Sequence, residues 1–324
     1  MSPATLPRLE SRDKICEQPS SFQAQSHISS LWSQPHKFLL PCVLVGLYVA
    51  WLTKESESME LAALQIPDVN PVKSVWIHTP IAASVIYPLG IVLFGKRWMT
   101  DEKPFEIQHY VFVYNLYQVI LNVWTVVEMI REVYTNPWYS VMHGFLPWGN
   151  RPQPGYAGYR ITFLVWVHYN NKFVELLDTL WMVLKKKNKQ ITFLHCYHHM
   201  LLIWVWWHCC SLEPGGEAWF GACINSLIHV YMYGYYTLSL LKMPVNWMKI
   251  YMTSCQMLQF LICLIHAGTV AYLTTSTESH KNYIPIELTY DQAFVMVNML
   301  FLFGHFFYKS YVVNSSKSKT KKVE

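Results

Sequence analysis

The sequence predicts an all-α protein that crosses a membrane seven times, with an N-terminal segment as a candidate eighth span. Three observations carry this. First, 52% of the 324 residues are hydrophobic and only 14% are charged, whereas a typical soluble domain carries about 25% charged residues. So few charges cannot build a water-facing surface, so lipid must cover part of the chain. Second, seven apolar runs recur at helical length, and only helices or closed barrels satisfy their own backbone inside lipid. Third, Lys and Arg gather in every second connection, the pattern that orients helices across a bilayer. The 14 Trp and 21 Tyr suit two interfacial belts, where amphipathic rings settle at headgroup depth.

The elements follow in order. Residues 1–36 are polar and rich in Ser, Gln and Pro, a composition expected of a disordered tail and too long and polar for a signal peptide. Residues 37–73 form an extra apolar segment and linker. Its apolar part, 38–53, is short and contains Pro41; it reads as a tilted span, a re-entrant segment or an interfacial anchor. Residues 74–313 hold the seven runs, at 75–94, 110–130, 161–184, 192–211, 218–241, 247–273 and 293–313. Each is long enough to cross a hydrocarbon core of about 30 Å. Residues 314–324 are a basic tail.

Positive charge fixes the orientation. Lys96, Arg97 and Lys103 follow the first run, Lys185, Lys186, Lys187 and Lys189 the third, Lys242 and Lys249 the fifth, and Lys317, Lys319, Lys321 and Lys322 the seventh. Residues 212–217 carry no Lys or Arg, and 274–289 only Lys281. The basic loops and the C-terminus are therefore expected in the cytosol. Lys321 and Lys322 stand fourth and third from the end, as in the di-lysine retrieval signals of endoplasmic reticulum membrane proteins, which are receptor-read addresses. The competing reading is an ordinary basic tail. The expected location is the endoplasmic reticulum membrane, multi-pass, with a cytosolic C-terminus. A net charge of +5, held in short loops and the tail, does not suggest nucleic acid. The eight Cys form no CxxC pair and read as small apolar core residues.

A charged side chain at mid-bilayer costs at least about 2.5–3.5 kcal/mol on insertion scales, so such residues face the bundle interior or a watery cavity. Four runs carry polar faces. The third holds Lys172, Glu175 and Asp178 at steps of three, close enough to pair on one helix face; a structural ion pair is the plain alternative to a functional one. The fourth opens with His195, His198 and His199, which share a face and compete as a metal site. The fifth holds Asn225, His229, Tyr233 and Tyr236 along one face, and the sixth Thr253, Gln256 and Gln259. Taken singly, the last two read as interhelical hydrogen bonding. Four polar faces on consecutive helices predict one shared cavity.

These stretches resemble the boxes of the fatty-acid elongase family. Lys172–Thr179 is similar to its KxxExxDT box, His195–His199 to HxxHH, Asn225–Tyr236 to NxxxHxxMYxYY, and Thr253–Phe260 to TxxQxxQF. Their order and spacing fit, and Lys103-Pro104-Phe105 and Tyr114-Asn115 resemble earlier landmarks. The likeness runs from about Val75 to the C-terminus; the 38–53 segment is a departure from it. Gln190, in Gln190–His199, resembles the QxxFLHxYHH form of the branch that elongates polyunsaturated chains.

The resemblance implies an acyltransferase of the very-long-chain 3-oxoacyl-CoA synthase type. It condenses acyl-CoA with malonyl-CoA, releases CO2 and CoA, and encloses the acyl chain in the bundle. No cofactor or metal is implied; both CoA thioesters are substrates. His198 is the implied acyl-accepting nucleophile. His229 orients substrate or stabilises charge, and His195 and His199 tune His198. Lys172, Glu175 and Asp178 set the electrostatics, with Asn225, Tyr233, Tyr236, Gln256 and Gln259 lining or shaping the site. Implied partners are the bilayer, the ketoacyl-CoA reductase, dehydratase and enoyl-CoA reductase of the elongation cycle, and a second copy of the chain. Alternatives are an elongase for saturated or monounsaturated chains, a histidine-box di-iron desaturase or hydroxylase, and a seven-span receptor or transporter.

Overall fold

The computed structural model describes residues 21–65, 80–135, 156–276 and 284–313. Among these residues every regular element is helical, so the protein is an all-α polytopic membrane protein. We number the helices α1 (Ser21–Trp32), α2 (Leu39–Gln65), α3 (Pro80–Trp98), α4 (Gln108–Thr135), α5 (Tyr156–Val174), α6 (Leu177–Leu184), α7 (Phe193–Leu212), α8 (Ala218–Leu240), α9 (Met248–Ser276) and α10 (Ile286–Phe307). Helix α3 contains a π-helical stretch, Ile86–Phe94, and α10 continues as one through Tyr308–Val313.

Among the described residues, five helical segments are long and apolar enough to cross a membrane by length and composition: Pro35–Leu64, Pro80–Trp98, Gln108–Thr135, Met248–Ser276 and Ile286–Val313. The remaining long helices, α5, α7 and α8, carry three of the four polar boxes, the first running on into α6, while the fourth lies on α9. Their polar groups lower the average hydropathy but turn inward, where neighbouring helices satisfy them. Helix α4 packs along α8 and α9 along α10, while α5 touches α2, α4, α7 and α8. Helix α5 is thus the most enclosed element, with Leu164, Val165, Trp166 and Tyr169 shut away from the surface. Leu47, Leu93, Ile120, Ile265 and Phe301 lie exposed on the outside, the faces that lipid covers.

Four expectations need correction or completion. The tail expected to be disordered contains α1. Ala24 and Leu31 of α1 are buried, the His109 ring meets the Leu31 carbonyl at 3.0 Å, and Trp32 stacks on Phe38 with centroids 5.0 Å apart. Tertiary packing orders a segment whose composition alone would not. Second, residues 39–53 of the 38–53 segment form the first half of a 27-residue helix, with Phe38 ending the short turn before it; Pro41 sits in the first turn of the helix, where the missing N–H has no partner to lose. Third, run 161–184 is not one helix. It breaks at Glu175 and Leu176, where the turn tightens to Leu176 N–H to Phe173 C=O and Asp178 N–H to Glu175 C=O. Fourth, the last helix starts at Ile286, seven residues before run 293–313, because Glu287, Asp291 and Gln292 masked its first turns. Residues 75–79, the linker from 66 onward, and the di-lysine tail lie outside the described residues.

Candidate active site

The α5–α6 break opens the polar core. By ending α5 at Val174 and restarting at Leu177, the chain aims Glu175 and Asp178 at different partners. The buried Lys172 Nζ donates to Glu175 Oε1 at 2.9 Å and to Asn225 Oδ1 of α8 at 2.9 Å. Glu175 Oε1 also accepts from Asn171 Nδ2 at 3.1 Å, and His229 Nδ1 of α8 lies 3.1 Å away, without the direction of a good hydrogen bond. Lys172 and Glu175 are both 1% exposed. A buried pair survives only when further hydrogen bonds occupy its remaining lone pairs and protons, and Asn171, Asn225 and His229 surround it.

Asp178 serves a second arm. It accepts from Tyr233 Oη at 2.7 Å, and Tyr233 Oη lies 3.2 Å from Tyr114 Oη of α4. Tyr236 packs edge-on against Tyr233, with centroids 5.8 Å apart. Residues at i and i+3 on α8 thus stand beside the same carboxylate.

Helix α7 brings in the histidines. Thr192 caps it, its hydroxyl accepting from the His195 N–H at 3.2 Å. His195 Nε2 meets Thr179 Oγ1 of α6 at 2.8 Å, and Thr179 in turn meets Tyr87 Oη of α3 at 2.8 Å. His199 stacks edge-on between His195 and His198, at 4.5 Å and 5.6 Å. His198 is different: its Nδ1 lies 3.3 Å from Met299 Sδ of α10, and its side chain lines a cavity.

The cavity lies between α7, α8, α9 and α10. His198, Asn225 and Gln259 border one part, and Leu202, Phe260 and Val295 make apolar walls. Along α7 its lining runs from His198 to Cys209, about 16 Å at 1.5 Å per residue. Of the sequence-predicted residues, His198, Asn225 and Gln259 therefore face the space, while Lys172, Glu175 and His229 sit behind Asn225. Gln256 is half-buried and Gln190 lies in the exposed turn before α7, neither bordering the cavity. Among the described residues, no three His, Cys, Asp or Glu side chains converge as a metal would require.

Gln118, Asn122 and Tyr87 belong to this network and escaped the sequence reading. Gln118 Nε2 donates to Asn171 Oδ1 at 3.1 Å and Gln118 Oε1 accepts from Asn171 Nδ2 at 2.9 Å. Their signal was present: Gln118 and Asn122 stand four apart inside an apolar run.

Comparison with known proteins completes the picture. The family model described as ELO: GNS1/SUR4 family matches residues 71–320. Very long chain fatty acid elongase 7 of Rattus norvegicus is 30% identical over 263 residues, covering 79% of this chain and 90% of that protein. Very long chain fatty acid elongase 1 of Homo sapiens is 32% identical over 238 residues, 72% of this chain and 81% of the relative. Very long chain fatty acid elongase 5 of Xenopus tropicalis is 34% identical over 233 residues, 71% of this chain and 75% of the relative.

Proposed function

Because this chain belongs to the ELO family of fatty-acid elongases, we propose that it catalyses the condensation step: acyl-CoA and malonyl-CoA give 3-ketoacyl-CoA, CO2 and free CoA. The observation that carries this reading is His198, the one member of the histidine box that borders the apolar cavity. A proton on Nδ1, directed at Met299 Sδ, leaves the Nε2 lone pair free to attack a thioester.

Nε2 adds to the acyl carbonyl and the C–S bond breaks. The imidazole loses its proton to the departing thiolate, leaving an acyl-imidazole and CoA. Malonyl-CoA then loses CO2, and the resulting enolate carbon attacks the acyl carbonyl. The C–N bond breaks, 3-ketoacyl-CoA leaves, and the imidazole regains a proton from solvent. Both tetrahedral intermediates need donors where the oxyanion forms. Asn225 suits that role: Lys172 holds its oxygen, so its NH2 group is the part left for the cavity. Lys172 and Glu175 act by fixing Asn225 and His229. The cavity's apolar walls take the acyl chain.

For the substrate, Gln190 and its box support a polyunsaturated chain over a saturated or monounsaturated one. The basic loops at 96–103 and 185–189 support arrival of anionic CoA at that end of the bundle, from the cytosolic face of the endoplasmic reticulum. The reductases and dehydratase of the elongation cycle are the expected consumers of the product. The test is elongation by microsomes expressing this chain, with radiolabelled malonyl-CoA, a panel of acyl-CoAs and product masses. Label appearing in products two carbons longer supports the reading. Absence of any product from every chain overturns it, and preference for saturated chains overturns the polyunsaturated part alone.

A further inference from the structure

Helix α3 sends one polar side chain inward. Its π-helical stretch, Ile86–Phe94, has Tyr87 as its one buried residue, while Ile86, Leu89, Leu93 and Phe94 are exposed on the outer side. Such turns are rare and are often found at functional sites. Tyr87 belongs to an apolar cluster with Leu176, Ile203 and Met200. From this setting its phenol reaches Thr179 Oγ1 of α6 at 2.8 Å, and Thr179 Oγ1 reaches His195 Nε2 of α7 at 2.8 Å. Tyr87 and Thr179 are 1% and 0% exposed. Three helices thus close on one hydrogen-bond chain that ends in the histidine box. The chemistry assigned to His198 makes no use of it.

The chain has a direction. A hydroxyl has one proton to give, so Thr179 donates to one neighbour and accepts from the other. If Tyr87 donates to Thr179, Thr179 donates to the His195 Nε2 lone pair, and both protons have an oxygen or nitrogen acceptor. In the reverse order His195 Nε2–H donates to Thr179, and Thr179 donates to Tyr87 Oη. The phenolic proton is then turned out into the apolar cluster, where its polar neighbour is the Cys196 thiol, a weak acceptor. A buried donor without a good acceptor costs free energy, so the first order prevails. It places the His195 proton on Nδ1 and keeps the ring neutral, because a cation would need a proton on Nε2 as well.

We infer that Tyr87 is a positioning residue for the condensation: acting through Thr179, it holds His195 as the neutral tautomer that accepts at Nε2. This rests on the elongase reading of the histidine box. The benefit falls on His198. His195 stacks edge-on with His199, and His199 with His198, so His195 stands one ring away from the nucleophile. When His198 adds to the thioester, its ring carries positive charge until its proton leaves, and a like charge nearby would oppose that step. A His195 held neutral offers no such charge. Tyr87 itself does not border the cavity, so its loss bears on the chemical step and not on substrate binding.

The experiment uses purified full-length protein, malonyl-CoA and the acyl-CoA that wild type elongates fastest. It compares Tyr87→Phe, Thr179→Val, Thr179→Ser and the double variant Tyr87→Phe with Thr179→Val, reading kcat, KM and the thermal midpoint of each. Tyr87→Phe should lower kcat about fivefold, as the loss of one hydrogen bond allows, with the acyl-CoA KM unchanged. Thr179→Val should lower kcat at least as far, and Thr179→Ser, which keeps the hydroxyl, should recover most of that loss. The double variant should be no slower than Thr179→Val alone, since both substitutions cut one chain and independent effects would multiply. A Tyr87→Phe kcat equal to wild type overturns the inference. So does a rise in KM at constant kcat, or a double variant whose losses multiply. Tyr87→Met, which also lacks the phenol, takes its place if Tyr87→Phe yields no folded protein. A wild type that elongates no acyl-CoA overturns the elongase reading instead, so the two failures are told apart.

Discussion

At the scale of single residues, His198 and Lys172 make different demands. If His198 carries the acyl group, turnover is ping-pong and the first half needs no malonyl-CoA. Wild type mixed with a long acyl-CoA alone should release up to one CoA per site, and a peptide containing His195–His199 should gain the acyl mass. His198→Ala should lose both signals, since His195 is engaged by Thr179 and His199 lies buried against its neighbours. Ordered kinetics without a CoA burst would remove the covalent intermediate. Lys172 is structural as well as electrostatic. Lys172→Met leaves the Glu175 carboxylate buried without its cation, a loss of about 3–5 kcal/mol, which thermal unfolding in detergent measures. An unchanged midpoint would show that Asn171 and His229 suffice. The Lys172–Glu175 pair was legible in the sequence, because three-residue spacing on a helix leaves little choice. Its tie to Asn225 was not, since spacing within a helix says nothing about which neighbour it meets. The His208–Asp291 and His266–Glu217 contacts were wholly illegible: the four residues belong to four different elements, and Glu217 and Asp291 lie outside the apolar runs.

At the scale of elements, the α5–α6 break decides which way Asp178 points. A continuous helix would leave Glu175 and Asp178 side by side on one face, as the sequence suggests. The tightened turn instead gives Glu175 to the Lys172 cluster and Asp178 to Tyr233. Removing the hydroxyl in Tyr233→Phe leaves the carboxylate short of a donor, a cost of about 1–3 kcal/mol. The variant should melt lower and lose turnover, because Tyr114, which already stands beside Asp178 and Tyr233, does not supply a second donor in place of the lost one. Retention of both would mean that Asp178 draws its partner from elsewhere. Helix ends proved harder to read than helix cores. Gly215, with φ 101°, marks the turn between α7 and α8 where both runs were expected to stop. The start of α10 was missed because Glu287, Asp291 and Gln292 lower the hydropathy of its first turns, and hydropathy sees polarity without seeing where it points.

At the scale of the whole molecule, helix count bears on the topology. The three spans that look least apolar, α5 with α6, α7 and α8, are those whose polar faces meet, so average hydropathy undercounts this bundle where the chemistry lies. Counting α2 as a span of its own gives eight crossings among the described residues, in the order α2, α3, α4, α5 with α6, α7, α8, α9 and α10, and we propose this topology. An even number returns the C-terminus to the side of the N-terminus. In that topology the basic connections after α3, α6 and α8 share the same side, which we propose is the cytosol, as the positive-inside rule expects. Replacing Lys321 and Lys322 by Ser should then release part of the protein from the endoplasmic reticulum, read by its arrival in later compartments, because a retrieval signal works only where its cytosolic receptor reaches it. Unchanged retention would show the pair to be dispensable. The span count itself is tested by tags before Met1, after Glu324 and within residues 212–217, in cells whose plasma membrane alone is permeabilised. Both terminal tags should bind antibody and the internal one should not. A protected N-terminal tag beside an exposed C-terminal one means seven crossings, with α2 lying in the interface rather than through the membrane. The exposed Leu39, Leu44 and Leu47 along the outer face of its uncharged first half argue for the crossing, since a helix that lies flat needs a polar side to show to water.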